Sequence, residues 1–230
     1  MEPDDLKRRM DARGIHPTHT FEVGVFEPST AQTKHWIGTG CRCTLVEPMP
    51  EVAQALREEY GQHEGVEVLE CAVSDEPGTV TLALAGASTF LAHLEHTPAI
   101  VNDGYAVEQG RTVEVEGVTF DQIDPGDIDL LCIDIEGAEW LLLPRMRSRP
   151  RVISIETHAG IYEHKDLGRM QAWARENGYA VWFKTGSDTV WYRRELFQLG
   201  LADHLARADR EVRNWLQRSR KRLKRRLKRG

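Results

Sequence analysis

Long apolar runs are missing from this sequence of 230 residues. The longest apolar stretches have the length of β-strands, well below the roughly 20 residues that a membrane-spanning helix needs. The first ten residues, MEPDDLKRRM, carry acids and bases and no apolar segment of the kind found in secretory signals. We therefore expect a cytoplasmic globular protein, long enough for one sizeable α/β domain.

Cysteine is scarce as well. The four cysteines, Cys41, Cys43, Cys71 and Cys132, fall inside predicted strands, and none of them has the spacing of a CxxC pair or a zinc finger. This usage argues against a disulfide framework and against a structural zinc site. We expect four reduced thiols in the protein core.

Positive charge is in short supply over most of the chain. Residues 1–206 contain 18 Lys and Arg against 34 Asp and Glu, whereas residues 207–230 contain 12 against two. The net charge of -6 therefore combines an acidic body with a strongly basic end. An acidic body is not typical of a nucleic-acid groove.

Apolar segments and amphipathic segments alternate along the chain. The predicted strands cover residues 20–25, 43–48, 66–75, 128–134 and 151–158, and a short helix, EWLLL, is predicted directly after the fourth strand. Residues 76–118 alternate apolar with polar side chains, which indicates an antiparallel insertion, and residues 179–194 read as a hairpin. The pattern predicts a doubly wound, mostly parallel sheet of seven strands with a terminal antiparallel hairpin.

Three segments follow from this pattern. Residues 1–19 form a helical lead-in, residues 20–200 form the Rossmann-like α/β domain with its insertion at about 76–118, and residues 201–230 form a basic amphipathic helix. In a doubly wound sheet, ligands bind beyond the carboxyl ends of the strands. We therefore expect cofactor contacts from residues at those ends: Glu22, Gly24, Glu47, Ala72, Ser74 and Asp134.

The first loop and the second strand indicate which cofactor binds. Glu47 follows Gly24 by 23 residues, close to the separation expected between a glycine turn and an acid that binds a ribose in NAD, FAD or S-adenosylmethionine. The loop EVGVFEPST has one glycine, and Glu27 and Pro28 disfavour a pyrophosphate through negative charge and a missing N–H. S-adenosylmethionine has no phosphate and is cationic, so this loop favours it over NAD and FAD.

With these residues assembled, the chain resembles the FkbM family of methyltransferases. The resemblance rests on EVGVFEP, LVEPMP, AVSDEPGTVTLAL, GASTF, DLLCIDIEGAEWLLL and ISIETH, which follow one another in that order over residues 20–160. It implies a Rossmann-like class I methyltransferase fold and methyl transfer from S-adenosylmethionine, commonly to a hydroxyl of a sugar or natural product. The chain departs from the family pattern in its first loop and at Cys132, where the family usually has lysine.

Methyl transfer to an alcohol requires a positioned hydroxyl and a group that assists loss of its proton. Asp134 ends the fourth strand, and strand alternation places Glu136 on the same face. His158 ends the fifth strand, and an imidazole of ordinary pKa near 6.5 can accept a proton. We expect Asp134, Glu136 and His158 to be the catalytic residues.

A metal is the lesser alternative for the same chemistry. Asp134, Glu136, Glu156 and His158 together have the oxygen-rich character that suits Mg²⁺ or Mn²⁺. Their spacing is not diagnostic, and we expect the reaction to proceed without a metal.

The basic end of the chain has an apolar stripe. The residues that share one helical face are Leu201, Leu205, Ala208, Val212, Trp215, Leu216, Leu223 and Leu227. Basic charge beside a Trp/Leu stripe favours peripheral contact of residues 207–230 with an anionic membrane over nucleic-acid binding. The simpler interpretation is a packed helix whose charged end is solvated.

Three other functions remain open from the sequence. A nicotinamide-dependent oxidoreductase accounts for Glu47 but not for the first loop or the hairpin. An RNA methyltransferase would use the basic end to hold RNA, and a catalytically silent Rossmann-like module would use it to dock to a membrane or polyanion.

Overall fold

A computed structural model describes residues 3–107, 110–158 and 160–229 of the chain. The helices are α1 (Pro3–Asp11), α2 (Pro50–Tyr60), α3 (Phe120–Ile123), α4 (Leu167–Glu176) and α5 (Leu201–Arg229). The strands are β1 (His19–Val23), β2 (Arg42–Val46), β3 (Val66–Leu69), β4 (Ala72–Val73), β5 (Gly78–Ala83), β6 (Phe90–Leu91), β7 (Thr112–Val118), β8 (Leu130–Ile133), β9 (Val152–Glu156), β10 (Tyr179–Lys184) and β11 (Asp188–Arg193).

Seven of these strands form the main sheet, in the order β10-β11-β9-β8-β1-β2-β3. Strands β1, β2, β3, β8 and β9 are mutually parallel, and β11 runs antiparallel to both β9 and β10. The predicted fold is confirmed: this is a mostly parallel Rossmann-like sheet that ends in an antiparallel hairpin.

The central strands are apolar on both faces because both faces are covered. The residues of β8 alternate between two buried clusters. Leu131 and Ile133 belong to one cluster, and Leu130 and Cys132 belong to the other. Helix α4 packs its Met170 on the first cluster. Helix α1 packs on the second cluster, and burial on both faces explains why these strands read as unbroken apolar runs.

A second sheet of four strands, ordered β4-β7-β5-β6, is built largely from the insertion. Strands β5 and β7 pair antiparallel over six residue pairs, and β4 joins β7 in parallel. The prediction of a single third strand over residues 66–75 was wrong. The chain leaves β2 after Leu69, whose carbonyl accepts from the Glu47 N–H, and next pairs with β7 through the Ser74 N–H and Val118 carbonyl.

The segment after β8 also differs from its prediction. The sequence EWLLL does not form an α-helix; two 3-10 turns, Glu139–Leu141 and Leu143–Arg145, take its place. Pro144 lies in the second turn, and a proline has no N–H with which to continue an α-helical ladder.

Helix α5 follows the terminal hairpin as a single 29-residue helix. The side chain of Leu227, which the sequence places on its apolar stripe, lies outside the described residues. No helix among the described residues is both long enough and apolar enough to cross a membrane.

Candidate cofactor and active site

A cavity of ≈ 360 Å³ lies where β1, β2 and β8 end, beneath the second sheet. This volume falls within the range of small-molecule sites. Apolar side chains form most of the wall: Val46, Met49, Val52, Ala72, Leu82, Leu84, Phe90 and Ile135. Its acidic members are Glu47, Asp134 and Glu136.

Glu47 is fixed at one side of the cavity by the backbone around it. Its Oε2 accepts from the Val25 N–H at 3.1 Å, and its Oε1 accepts from the Met49 N–H at 2.9 Å. The residue is only 6% exposed, and burial raises the pKa of this carboxyl to about 7 although both N–H groups favour the ionised form. Because a carboxylate oxygen has two lone pairs, each oxygen retains one for a ligand in the cavity.

Gly24 brings the end of β1 against the end of β8. Its φ of +87° is left-handed, and a Cβ at this position would lie 1.8 Å from the Asp134 carbonyl oxygen. The Gly24 N–H donates to the Val46 carbonyl, and the Asp134 N–H donates to the Val23 carbonyl. The turn therefore needs glycine both for its backbone conformation and for this close approach.

Asp134 and Glu136 enter the cavity from the loop that follows β8. Glu136 adopts a left-handed φ of 56°, which is uncommon for a residue with a side chain. Buried Glu139 holds this loop by accepting from the backbone N–H groups of Ile135 and Gly137. On its other side, Glu139 pairs with the imidazole of His164 at 2.9 Å.

Glu156, at the end of β9, joins Asp134 and Glu136 in one acidic cluster. One carboxylate oxygen from each of the three lies within 4.8 Å of those from the other two. Burial, together with the adjoining acids, raises the pKa of Asp134 and Glu156 well above the ordinary range. Burial and Glu139 raise the pKa of Glu136 to about 7.

Five of the eight site residues predicted from the sequence line this cavity: Gly24, Glu47, Ala72, Asp134 and Glu136. Glu22 and Ser74 are not in its described lining. The Glu22 carboxylate accepts from the backbone N–H groups of Gln32 and Thr33, so it holds the loop that covers β1. The Ser74 hydroxyl donates to the Glu76 carbonyl and holds the turn before β5.

His158 is also outside the described lining of the cavity. Its Nδ1 lies 2.6 Å from the Thr157 hydroxyl, and its Nε2 lies 3.3 Å from the Asn214 side-chain nitrogen of α5. Burial, with Arg218 and Lys184 nearby, lowers the pKa of His158 to about 4, so the ring is neutral near pH 7. The structure brings Glu156 to Asp134 and Glu136, whereas it places His158 against α5.

The second sheet adds residues that the sequence did not single out. Arg111, beside β7, is the one cation among the described residues of the lining, and Phe90 of β6 adds an aromatic wall. Glu139, which organises the loop after β8, resembles an ordinary helix-start acid in the sequence. No spacing signal marks these positions, because the insertion folds over the cavity through contacts distant in sequence.

Known proteins provide an independent comparison. The family model described as methyltransferase FkbM domain matches residues 22–181. A ribosomal protein L11 methylase from Lactobacillus delbrueckii subsp. bulgaricus is similar at 13% identity and TM-score 0.40, over 80% of this chain and 73% of that chain.

A second solved structure is a 1,6-didemethyltoxoflavin-N1-methyltransferase from Burkholderia thailandensis, with its substrate and S-adenosylhomocysteine bound. The similarity is 14% identity and TM-score 0.40, over 83% of this chain and 76% of that chain. No curated protein matches the chain.

Proposed function

Because this chain belongs to the FkbM methyltransferase family, we propose that it transfers a methyl group from S-adenosylmethionine to a hydroxyl of a small-molecule or glycan acceptor. The observation that carries the proposal is the cavity itself, which has a backbone-fixed Glu47 and an acidic end made by Asp134 and Glu136.

The cavity suits a cationic nucleoside. The free lone pairs of Glu47 would accept hydrogen bonds from the two ribose hydroxyls, and the apolar wall formed by Met49, Val52 and Ala72 would suit the adenine ring. Gly24 leaves room at the turn that approaches the methionine part. When bound, the cofactor supplies an electrophilic methyl group on a positively charged sulfur.

Asp134 and Glu136 are the residues through which the chain acts on the acceptor. Both carboxyls lie in the cavity wall, and the pKa of Glu136, at about 7, is close to the value that suits proton transfer at neutral pH. We assign them to hold the acceptor hydroxyl and to assist departure of its proton. The apolar walls restrict water around the reacting atoms.

A titration followed by a transfer assay tests this proposal. We expect S-adenosylmethionine and S-adenosylhomocysteine to bind in calorimetry and NAD to give no heat. Labelled methyl groups should then appear on oxygen when glycans and hydroxylated natural products are offered. Binding of NAD alone would support an oxidoreductase, transfer only to RNA would support the RNA alternative, and binding without transfer to any acceptor would indicate a silent module.

Helix α5 supports a second part of the proposal, namely that the enzyme works at an anionic membrane surface. The helix docks to the domain through polar side chains. Asp203 pairs with Arg13 at 2.7 Å, Glu211 pairs with Lys184 at 3.3 Å, and Asn214 donates to the Thr185 carbonyl at 2.8 Å. The docked face of this helix is therefore its polar face.

The apolar face of α5 is turned away from the domain. Its exposed side chains are Leu201 (76%), Leu205 (62%), Val212 (56%), Trp215 (61%), Leu216 (41%) and Leu223 (60%). At about 100° per residue these positions lie opposite the docking residues. Leu/Trp exposure beside 12 basic residues is the arrangement of helices that lie in the interface of an anionic bilayer.

We expect full-length protein to float with vesicles of phosphatidylcholine and phosphatidylserine but not with phosphatidylcholine alone. Changing Leu205, Val212 and Trp215 together to serine should weaken flotation at least about tenfold, because the inserted apolar area is lost. Ala208→Ser, on the same exposed face, removes little apolar area and serves as the matched control. Protein that stays with the unbound fraction while it retards RNA in a gel would defeat the membrane assignment.

A further inference from the structure

We infer that Asp134, Glu136 and Glu156 form a binding site for one divalent cation, Mg²⁺ or Mn²⁺, at the acidic end of the cavity. The role of this cation depends on the proposed function, but the arrangement of the three carboxylates does not. Asp134 and Glu136 arrive from the loop after β8, and Glu156 arrives from the end of β9. Parallel neighbours β8 and β9 thus direct three carboxylates to one point.

The distances between the three carboxylate oxygens are compatible with one shared cation. Mg²⁺ binds oxygen at about 2.0–2.1 Å, so oxygens on opposite sides of one such ion lie about 4 Å apart. The three oxygens here all lie within 4.8 Å of one another. A single ion between them therefore reaches all three with small side-chain adjustments.

Buried oxygens without hydrogen-bond partners are the second observation that indicates a cation site. Asp134 Oδ1, Glu136 Oε2 and Glu156 Oε2 are each buried without a hydrogen-bond partner. Glu156 is only 6% exposed, and among the described residues none of the three carboxylates forms an ion pair with Lys, Arg or His. Buried carboxylates in native proteins are normally paired, hydrogen-bonded or bound to metal.

The neighbouring buried acids show the contrast. Glu139 accepts from the backbone N–H groups of Ile135 and Gly137. Glu22 accepts from Gln32 and Thr33, and Asp188 accepts from the Ser187 hydroxyl. Each of these acids accepts hydrogen bonds from the fold, whereas each of the three clustered acids keeps a buried oxygen without a donor among the described residues.

The oxygen-only ligand set selects a hard cation. Three carboxylates without sulfur or imidazole suit Mg²⁺ or Mn²⁺ and leave positions open for water or an acceptor hydroxyl. His158, which the sequence also offered as a ligand, is held by Thr157 and Asn214 instead. With a cation here, Asp134 and Glu136 would act on the acceptor through the ion, which would hold the hydroxyl oxygen in place and lower its pKa, rather than by taking the proton directly.

The test is cation binding by full-length protein without cofactor or acceptor. Mn²⁺ is titrated into chelator-stripped protein and followed by the loss of the free-ion paramagnetic resonance signal, with Mg²⁺ as competitor. We expect one saturable site per chain and at least about tenfold weaker binding in Glu156→Gln. Glu163→Gln, which alters an exposed acid outside the cluster, should bind Mn²⁺ like the wild type.

The outcomes separate this inference from the proposed function. No saturable site, or equal binding by the wild type and Glu156→Gln, overturns the cation site. Methyl transfer that survives chelation in protein without a Mn²⁺ site also overturns it and leaves the methyltransferase intact. A Mn²⁺ site lost in Glu156→Gln supports it, even if no acceptor is methylated and the proposed function fails. Glu156→Gln should retain cofactor affinity within about twofold, which excludes misfolding as the cause of lost cation binding.

Discussion

Glu47→Ala should weaken the binding of S-adenosylmethionine by roughly 10²–10³-fold. The substitution removes two charge-assisted hydrogen bonds to the ribose, each contributing about 1.5–3 kcal/mol. Together the two bonds contribute about 3–6 kcal/mol, and the lower part of that range, about 3–4 kcal/mol, corresponds to that loss of affinity. Calorimetric titration with S-adenosylhomocysteine, which does not react, measures the effect directly.

Two further variants make this result specific to the Glu47 carboxylate. Glu47→Gln preserves the size of the side chain, and Glu51→Gln removes an exposed acid from the first turn of α2, four residues away. We expect an intermediate loss for the first and no change for the second. Wild-type affinity in Glu47→Ala would show that the ribose is held elsewhere.

The same residue gives the binding a pH dependence. Burial raises the pKa of Glu47 to about 7, so the free protein carries a protonated carboxyl below that pH. Hydrogen bonds from the ribose favour the ionised form, which is the form with two acceptor oxygens. Affinity should therefore rise with pH between about 6 and 8 and then level off, by up to about tenfold per unit below the pKa. Glu47→Gln should lack this rise.

Gly24→Ala should abolish measurable cofactor binding and lower the free energy of unfolding by about 3 kcal/mol or more. The left-handed φ of +87° disfavours alanine, and the new Cβ would lie 1.8 Å from the Asp134 carbonyl oxygen. The Asp134 carbonyl belongs to the backbone and cannot move aside as a flexible side chain can. The ends of β1 and β8 must therefore separate. Because Asp134 moves with that carbonyl, the active site is displaced together with the fold.

Gly14→Ala is the matched control, because it measures the cost of a left-handed backbone conformation alone. Gly14 has a φ of +64°, and a Cβ there would meet no atom within 4 Å. We expect a loss of about 1 kcal/mol, or roughly 2–4 °C in melting temperature, with cofactor affinity unchanged. Equal effects of the two substitutions in thermal unfolding would show that the contact with Asp134 is unimportant.

The main sheet could be predicted from the sequence because each of its strands has a local sequence signal. Each parallel strand reads as a short apolar run, and the terminal hairpin follows from two strands and a tight turn. Glu47 and Asp134 follow strands that end at one edge of the sheet, so the rule that ligands bind at strand ends was sufficient to place both in the cavity wall.

To place Glu22, that rule requires the exact residue at which β1 ends, which the sequence alone does not provide. Strand β1 ends at Val23, one residue beyond Glu22, and successive side chains in a strand point to opposite faces. Val23 joins the cavity wall, whereas Glu22 turns to the loop carrying Gln32 and Thr33. A strand end must be known to a single residue before such an acid can be assigned.

Contacts distant in sequence account for the remaining differences. His158 lies against Asn214, 56 residues later in the chain, and nothing near IETH indicates that α5 arrives there. The second sheet recruits β4 to β7 across more than 40 residues, which divided the predicted third strand in two. Such pairings depend on the assembled domain rather than on local pattern.

A crystal structure of the protein with S-adenosylhomocysteine tests the central claim most directly. Density for the nucleoside should fill the space between β1, β2 and the second sheet, with both sugar hydroxyls about 3 Å from the two oxygens of Glu47. If the nucleoside is found at another surface, or its sugar contacts neither oxygen of Glu47, then the proposed assignment of this cavity is wrong.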